Sequence, residues 1–212
     1  MKLARMGGAV VKELLKEPLA YVLTGNGGRD IGTLEEICEK YRKYDHGSII
    51  VYPQYMFKTG LKVTELLAKL FDMERRTLRF LILLDKEHLR SIEDFEEALK
   101  DCAFTILDKV TCSCECCWKI NIKKGEKQGI IILSIQGKNK SIEENYAELI
   151  KLLSGENVEA NKESIKKWFK DHGVSGYREL IRNAKVEILE KAFTPLTCAI
   201  KTLLQLQNTT ND

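Results

Sequence analysis

The sequence predicts an α+β fold made mainly of helix. Three observations carry that expectation. Apolar residues recur at helical spacing through much of the first 110 residues. Trp118 to Ile135 alternates, turns at KGEKQG and continues as a β-branched run, which reads as a hairpin. From Ser141 onward the text is helical again, interrupted only by a polar break at Ser154 to Ala160.

The elements follow in order. Val10 to Leu23 has apolar residues near the 3.6 period, with Pro18 starting or kinking its second half. Thr24 to Gly32 is a glycine-rich loop. Thr33 and Glu36 make a capping-box pair for a helix reaching about Tyr44, and Gly47 ends it. Ser48 to Tyr52 is a short buried strand stopped by Pro53. Thr64 to Leu83 reads as two helices with a tight turn. Ser91 and Asp94 start a further helix that runs to Val110. After the hairpin, Ser141 and Glu144 cap a helix ending near Leu153. Lys162 to His172, Tyr177 to Phe193 and the stretch after Pro195 are helical, and NTTND frays. A division at 110/111 separates two regions, although the whole could be one domain.

Composition bounds the function. The chain has 212 residues, 44% hydrophobic and 31% charged, which suits a globular core rather than disorder. A net charge of +3 excludes a polycation that coats nucleic acid by charge alone but permits a local basic surface. Val10 to Leu23 is broken by four charges and a proline, and no apolar run is long enough to span a bilayer. The expectation is a cytoplasmic protein, or a nuclear one in a eukaryote, with no membrane partner.

The stretch TELLAKLFDMERRTLRFLIL, Thr64 to Leu83, is the segment whose spacing suggests a job. Ala68 supplies a small residue where two helices would cross. Leu67, Phe71, Met73, Leu78 and Leu81 fall at the apolar offsets. Glu74 to Leu83 would then carry Arg75, Arg76, Thr77 and Arg79 outward. In these positions the segment resembles the helix-turn-helix and winged-helix DNA-binding proteins. Asp72 departs from the pattern, standing where that family has glycine, though aspartate tolerates the left-handed turn. The resemblance covers about twenty residues. It implies DNA binding as a transcription regulator, commonly as a homodimer, with the second helix in the major groove. Arg75, Arg76, Thr77 and Arg79 would reach bases. Lys62, Lys69 and the hairpin residues Lys123 and Lys124 would reach phosphates. The carboxy-terminal helices would supply the dimer contact. The competing reading is an ordinary helical hairpin in a protein-interaction module, its arginines held in ion pairs.

Seven cysteines is an odd number, and Cys112, Cys114, Cys116 and Cys117 crowd into CSCECC. This is a poor disulfide framework and a better candidate zinc site. Four ligands so close cannot readily surround one tetrahedral ion. Cys114 and Cys117 have the C-x₂-C spacing and Cys112 and Cys116 the C-x₃-C spacing, and a second pair would have to come from Cys102, Cys38, Cys198 or one of His46, His88 and His172. Small, half-buried thiols entering a strand are the alternative.

Tyr21 to Thr24 followed by GNGGRDIG would be strand, glycine loop and helix if the first piece is β, and such a loop can hold phosphate. GTLEE, Gly32 to Glu36, is similar to the phosphate-binding corner of the cytokinin-activating nucleotide phosphoribohydrolases. That family places paired glycines directly before GT, whereas Gly27 and Gly28 stand four residues early. No P-loop signature is present. Scattered histidines and the lack of a paired constellation in sequence leave no catalytic residue to name. A nucleotide- or metal-dependent enzyme ranks behind the regulator and the interaction module.

Overall fold

The computed structural model describes residues 2–5, 18–26, 28–41, 48–51, 59–74 and 78–208. Its centre is one mixed sheet of seven strands: β1 (Lys2–Arg5), β2 (Ala20–Thr24), β3 (Ser48–Val51), β4 (Arg79–Asp85), β5 (Thr105–Thr111), β6 (Cys117–Lys124) and β7 (Lys127–Gln136). The spatial order is β1-β3-β2-β4-β7-β6-β5. The first five in that order run parallel, β6 pairs antiparallel with β7, and β5 pairs antiparallel with β6. The mixed α and β content agrees with the sequence. The sheet crosses the 110/111 division, because β4 pairs with β7 from Arg79↔Ile130 to Asp85↔Gln136.

Among the described residues, eight α-helices cover the sheet. They are α1 (Gly28–Lys40), α2 (Val63–Met73), α3 (Ile92–Asp101), α4 (Ile142–Ser154), α5 (Lys162–Asp171), α6 (Tyr177–Asn183), α7 (Val186–Ala192) and α8 (Thr194–Asn208). Strand alternation sorts the core into two clusters. Val22, Leu81, Leu83 and Ile132 pack under α1 and α4 through α8. Tyr21, Leu23, Phe80, Ile82, Leu84, Ile131 and Leu133 pack under α2 and α3. Trp168 and Phe169 anchor α5 in the first cluster.

Several elements differ from the sequence reading, each for a physical reason. Ala20–Thr24 is a strand, not the end of a helix, and residues 10–17 lie outside the described set. Arg79–Asp85 is also a strand, so the second helix expected over Glu74 to Leu83 does not form there. Both strands are interior to a parallel sheet and buried on both faces, which removes the alternation that would have marked them. Helix α2 ends at Met73, where Glu74 is extended. Leu67, Phe71 and Leu81 are buried as expected, but Met73 is exposed and Ala68 only half-buried.

Helix α1 begins at Gly28, so Thr33 is not its cap. The Thr33 hydroxyl donates to the Arg29 carbonyl at 3.0 Å instead. Glu36 accepts from Arg182 Nε at 2.7 Å and Nη2 at 2.6 Å. Helix α3 starts at the expected Ser91–Asp94 capping box but stops at Asp101. Ala103, at φ 64, turns the chain into β5, which has an irregular register between Ile106 and Asp108. The β6–β7 hairpin is as read from sequence. The expected helix from Tyr177 to Phe193 is two helices, because the chain is extended at Ala184 and Lys185. Among the described residues no helix is long and apolar enough to cross a membrane.

Candidate functional site

The parallel strands β2, β4 and β7 all end at one rim of the sheet. From β2 the chain enters α1 on one face and proceeds to β3. From β4 it enters α3 on the other face and proceeds toward β7. The connections therefore part between β2 and β4. In open α/β sheets a crevice forms at such a point, outside the carboxyl ends of the strands.

A crevice of about 610 Å³ occupies that place. Its floor is built by close backbone approach. Gly25, just after β2, donates to the Leu83 carbonyl at 3.0 Å and accepts from the Gly60 amide at 2.8 Å. A Cβ on Gly25 would sit 2.4 Å from Leu84 Cδ2 and 2.7 Å from the Gly60 oxygen, so no side chain fits. Gly137, after β7, has φ +79, and a Cβ there would be 2.4 Å from the Ser141 oxygen.

Acidic side chains gather in the crevice. Asp30 lies in the first turn of α1 and is buried. Its Oδ2 accepts from the Thr24 hydroxyl at 3.2 Å and from Asn26 Nδ2 at 2.5 Å. Asp85 ends β4. Its Oδ1 accepts from the Ile142 amide at the start of α4 at 3.0 Å. Asn26 Oδ1 accepts from the Asp85 amide at 3.0 Å, so one side chain joins the two aspartates. Glu143, in the first turn of α4, accepts from the Ser141 hydroxyl at 2.8 Å and pairs with Arg29. Glu87, His88, Lys140 and Lys162 complete the walls.

Burial decides the charges. Desolvation raises Asp30 to about 6, against the hydrogen bonds from Asn26 and Thr24. Desolvation, then the neighbouring Asp30 carboxylate, raises Asp85 to about 7. Burial pushes Glu143 up as well, but the Ser141 hydroxyl and the Arg29 guanidinium outweigh it and hold Glu143 below its ordinary value. The crevice thus contains one neutralised acid and two carboxylates whose ionisation near neutral pH is opposed unless a cation joins them. Ligand atoms of Asp85, Glu87 and His88 lie within 4.8 Å of one another. Oxygen donors with one imidazole suit a hard divalent ion such as Mg²⁺ or Mn²⁺.

Of the residues expected to touch DNA, Arg75, Arg76 and Thr77 lie outside the described residues. Arg79 opens β4, half-buried beside Ile130. Lys62 and Lys69 are exposed at the start and on the outer side of α2. Lys123 is half-buried within β6, and Lys124 pairs with Asp72 at 2.7 Å. Lys127 Nζ donates to the carbonyls of Phe71, Asp72 and Glu74 at 2.9–3.0 Å. These hairpin lysines hold the negative end of α2 rather than extend as a wing.

The cysteines divide between the two faces. Cys112, Cys114, Cys117 and Cys198 belong with the α8 side of the sheet, whereas Cys116 and Cys102 pack on the α2/α3 side. Cys116 therefore leaves the expected metal set, because successive residues entering β6 point to opposite faces. Cys198, one of several partners the sequence allowed, brings its sulfur within 4.8 Å of those of Cys112 and Cys117. All seven thiols are free. Hydrogen bonds from Cys117 hold Cys112 at about 7 and Cys114 at about 6, and the same bonds push Cys117 up.

The sequence singled out the glycine loop but missed Asp30, Asp85 and Glu143. The available signal was an acid directly after a buried apolar run, as in RFLILLD, and another in the helix turn that follows AYVLT. Comparison with family models, with curated proteins and with solved structures finds no match for this chain.

Proposed function

We propose that the chain is a divalent-cation-dependent enzyme acting on a phosphate ester in the crevice above β2, β4 and β7. The observation that carries this reading is the Asn26-linked pair Asp30 and Asp85 at the point where the sheet connections part. Asp85, with Glu87 and His88, supplies the ligands for the cation. Mg²⁺ sites commonly use one or two carboxylates and leave the remaining positions to water and substrate phosphate. A cation held by Asp85, Glu87 and His88 would supply polarisation of a phosphoryl oxygen and a more acidic water molecule. Attack of water on phosphorus would break the ester P–O bond, with one water proton passing to the departing ester oxygen, which leaves as the alcohol, and the other to the phosphate product or solvent. Lys140 and Lys162 stand on the walls to receive phosphate charge. The ion pair of half-buried Arg29 with buried Glu143 fixes α1 against α4 and keeps the two sides of the crevice in register.

DNA, the partner expected from sequence, enters this reading as a proposed phosphodiester substrate rather than as an operator held by a recognition helix. The proposal that the chain is a regulator needs an outward helix over Glu74 to Leu83, and β4 occupies the last part of that stretch.

The test joins binding and turnover. Thermal melts with Mg²⁺, Mn²⁺ and Ca²⁺ are run on wild type, Asp30→Asn and Asp85→Asn. Each protein is then offered nucleoside triphosphates, single- and double-stranded DNA, and RNA. Wild type gains stability with the cation and releases product, and Asp85→Asn loses at least about 100-fold in rate. A wild type indifferent to all three cations, or an Asp85→Asn enzyme as fast as wild type, removes the proposal.

A further inference from the structure

We propose that Cys112, Cys114, Cys117 and Cys198 form a closed tetrathiolate site for one Zn²⁺, which ties α8 to the corner between β5 and β6. The site shares no residue with the crevice and does not depend on that proposal.

Four observations carry the inference. First, the ligands come from two separate segments, C-x-C-x₂-C in the β5–β6 corner and a single cysteine on α8. A structural zinc site draws its four ligands in this way, from a knuckle and a distant element. Second, the sulfurs converge. Those of Cys112, Cys117 and Cys198 all lie within 4.8 Å of one another, and Cys114, half-buried in the same corner, packs against the same core cluster. Zn–S bonds of about 2.3 Å put tetrahedral sulfurs about 3.8 Å apart, so small rotamer changes close the shell. Third, the corner is already folded as a knuckle. The Cys112 amide donates to the Cys117 carbonyl at 2.8 Å, and the Cys117 amide donates to the Cys114 carbonyl at 3.2 Å. Fourth, hydroxyls surround the sulfurs. Ser113 Oγ lies 3.1 Å from Cys198 Sγ, and the Thr202 hydroxyl donates to the Cys198 carbonyl at 3.0 Å. Such outer contacts orient thiolate ligands and spread their charge.

The chemistry of the donors selects the ion. Four soft sulfurs in tetrahedral reach favour zinc over the hard cations of the carboxylate crevice. Binding exchanges thiol protons for the metal, and these protons pass to solvent. With four protein ligands no position is left for substrate, so the ion is structural. Cys116 is two residues from Cys114 and adjacent to Cys117, yet its side chain packs on the other face.

The full chain is purified under reducing conditions without chelator, and its metals are measured by plasma mass spectrometry. Wild type and Cys116→Ser carry about one zinc per chain, while Cys114→Ser and Cys198→Ser carry almost none. Co²⁺ exchanged into wild type gives the intense charge-transfer and visible bands of a tetrahedral tetrathiolate, and Cys116→Ser gives the same spectrum. Mercurial titration of wild type releases the zinc, a readout that stands even if Cys198→Ser fails to fold. Overturning results are a metal-free wild type whose seven thiols all react, iron in place of zinc, a disulfide among the four, or loss of metal from Cys116→Ser.

Discussion

Asp30 and Asp85 sit on either side of Asn26, whose amide nitrogen serves the carboxylate of one and whose carbonyl oxygen serves the backbone of the other. The link joins two buried acids that come from different elements, Asp30 from the first turn of α1 and Asp85 from the end of β4. Asn26→Ala removes both bonds and leaves Asp30 with Thr24 as its remaining side-chain partner in the hydrogen-bond network described above. The expected cost is about 2 kcal/mol of stability, measured by urea denaturation, together with weaker cation binding by calorimetry. Unchanged stability and affinity would show that the link is incidental.

The same acids set a pH dependence. Their folded values, about 6 and about 7, lie above the unfolded value of 3.8. A raised acid binds protons more tightly in the folded state. The metal-free fold is therefore favoured at low pH and loses stability as pH rises from about 4 through about 7. Glu143 is shifted the other way, so its contribution is complete above its ordinary value of 4.5 and fades only in stronger acid. Between pH 5 and 8 the aspartates govern, and the metal-free melting temperature should fall by roughly 5 °C for about 2 kcal/mol lost. Mg²⁺ or Mn²⁺ should restore most of it at pH 8, and Asp85→Asn should flatten the profile.

Two glycines near the crevice make a matched pair. A Cβ on Gly25 meets Leu84 and the Gly60 carbonyl, whereas a Cβ on Gly28 meets nothing within 4 Å. Gly25→Ala should cost about 1–3 kcal/mol by overpacking. Gly28→Ala, at the start of α1, should be neutral or gain about 0.5 kcal/mol. Equal effects in a chemical-denaturation series would contradict the close approach at Gly25.

Lys127 distinguishes a structural hairpin from a nucleic-acid wing. Its ammonium satisfies three carbonyls at the end of α2. Lys127→Met keeps the aliphatic stem and removes the donors. The prediction is a loss of about 1 kcal/mol in stability with little change in affinity for DNA at moderate salt. A large drop in DNA affinity with unchanged melting would return this hairpin to a binding role.

Legibility followed the type of burial. The hairpin was readable because β6 and β7 lie at the antiparallel side of the sheet, where Trp118 to Lys124 alternates inward and outward. The amphipathic helices α3, α4 and α5 were readable for the same reason at their own period. Strands β2 and β4 were not, since both faces of each are covered and LAYVLT and RFLILLD carry no period. The carboxylate crevice was hidden more deeply. Asp30, Asp85 and Glu143 come from three βα junctions, and only the parallel order β2-β4-β7 makes them neighbours. The thiol cluster was half visible: CSCECC announced itself, but strand alternation removed Cys116 and the path of α8 supplied Cys198.

Ala103 carries a left-handed backbone on a residue with a methyl group, at the corner where α3 gives way to β5. Glycine would take that shape without steric penalty, at the expense of a looser unfolded chain. This corner contributes no residue to the carboxylate crevice or to the four-thiol cluster. It offers an engineer a place to firm up the scaffold while leaving both chemistries as they are.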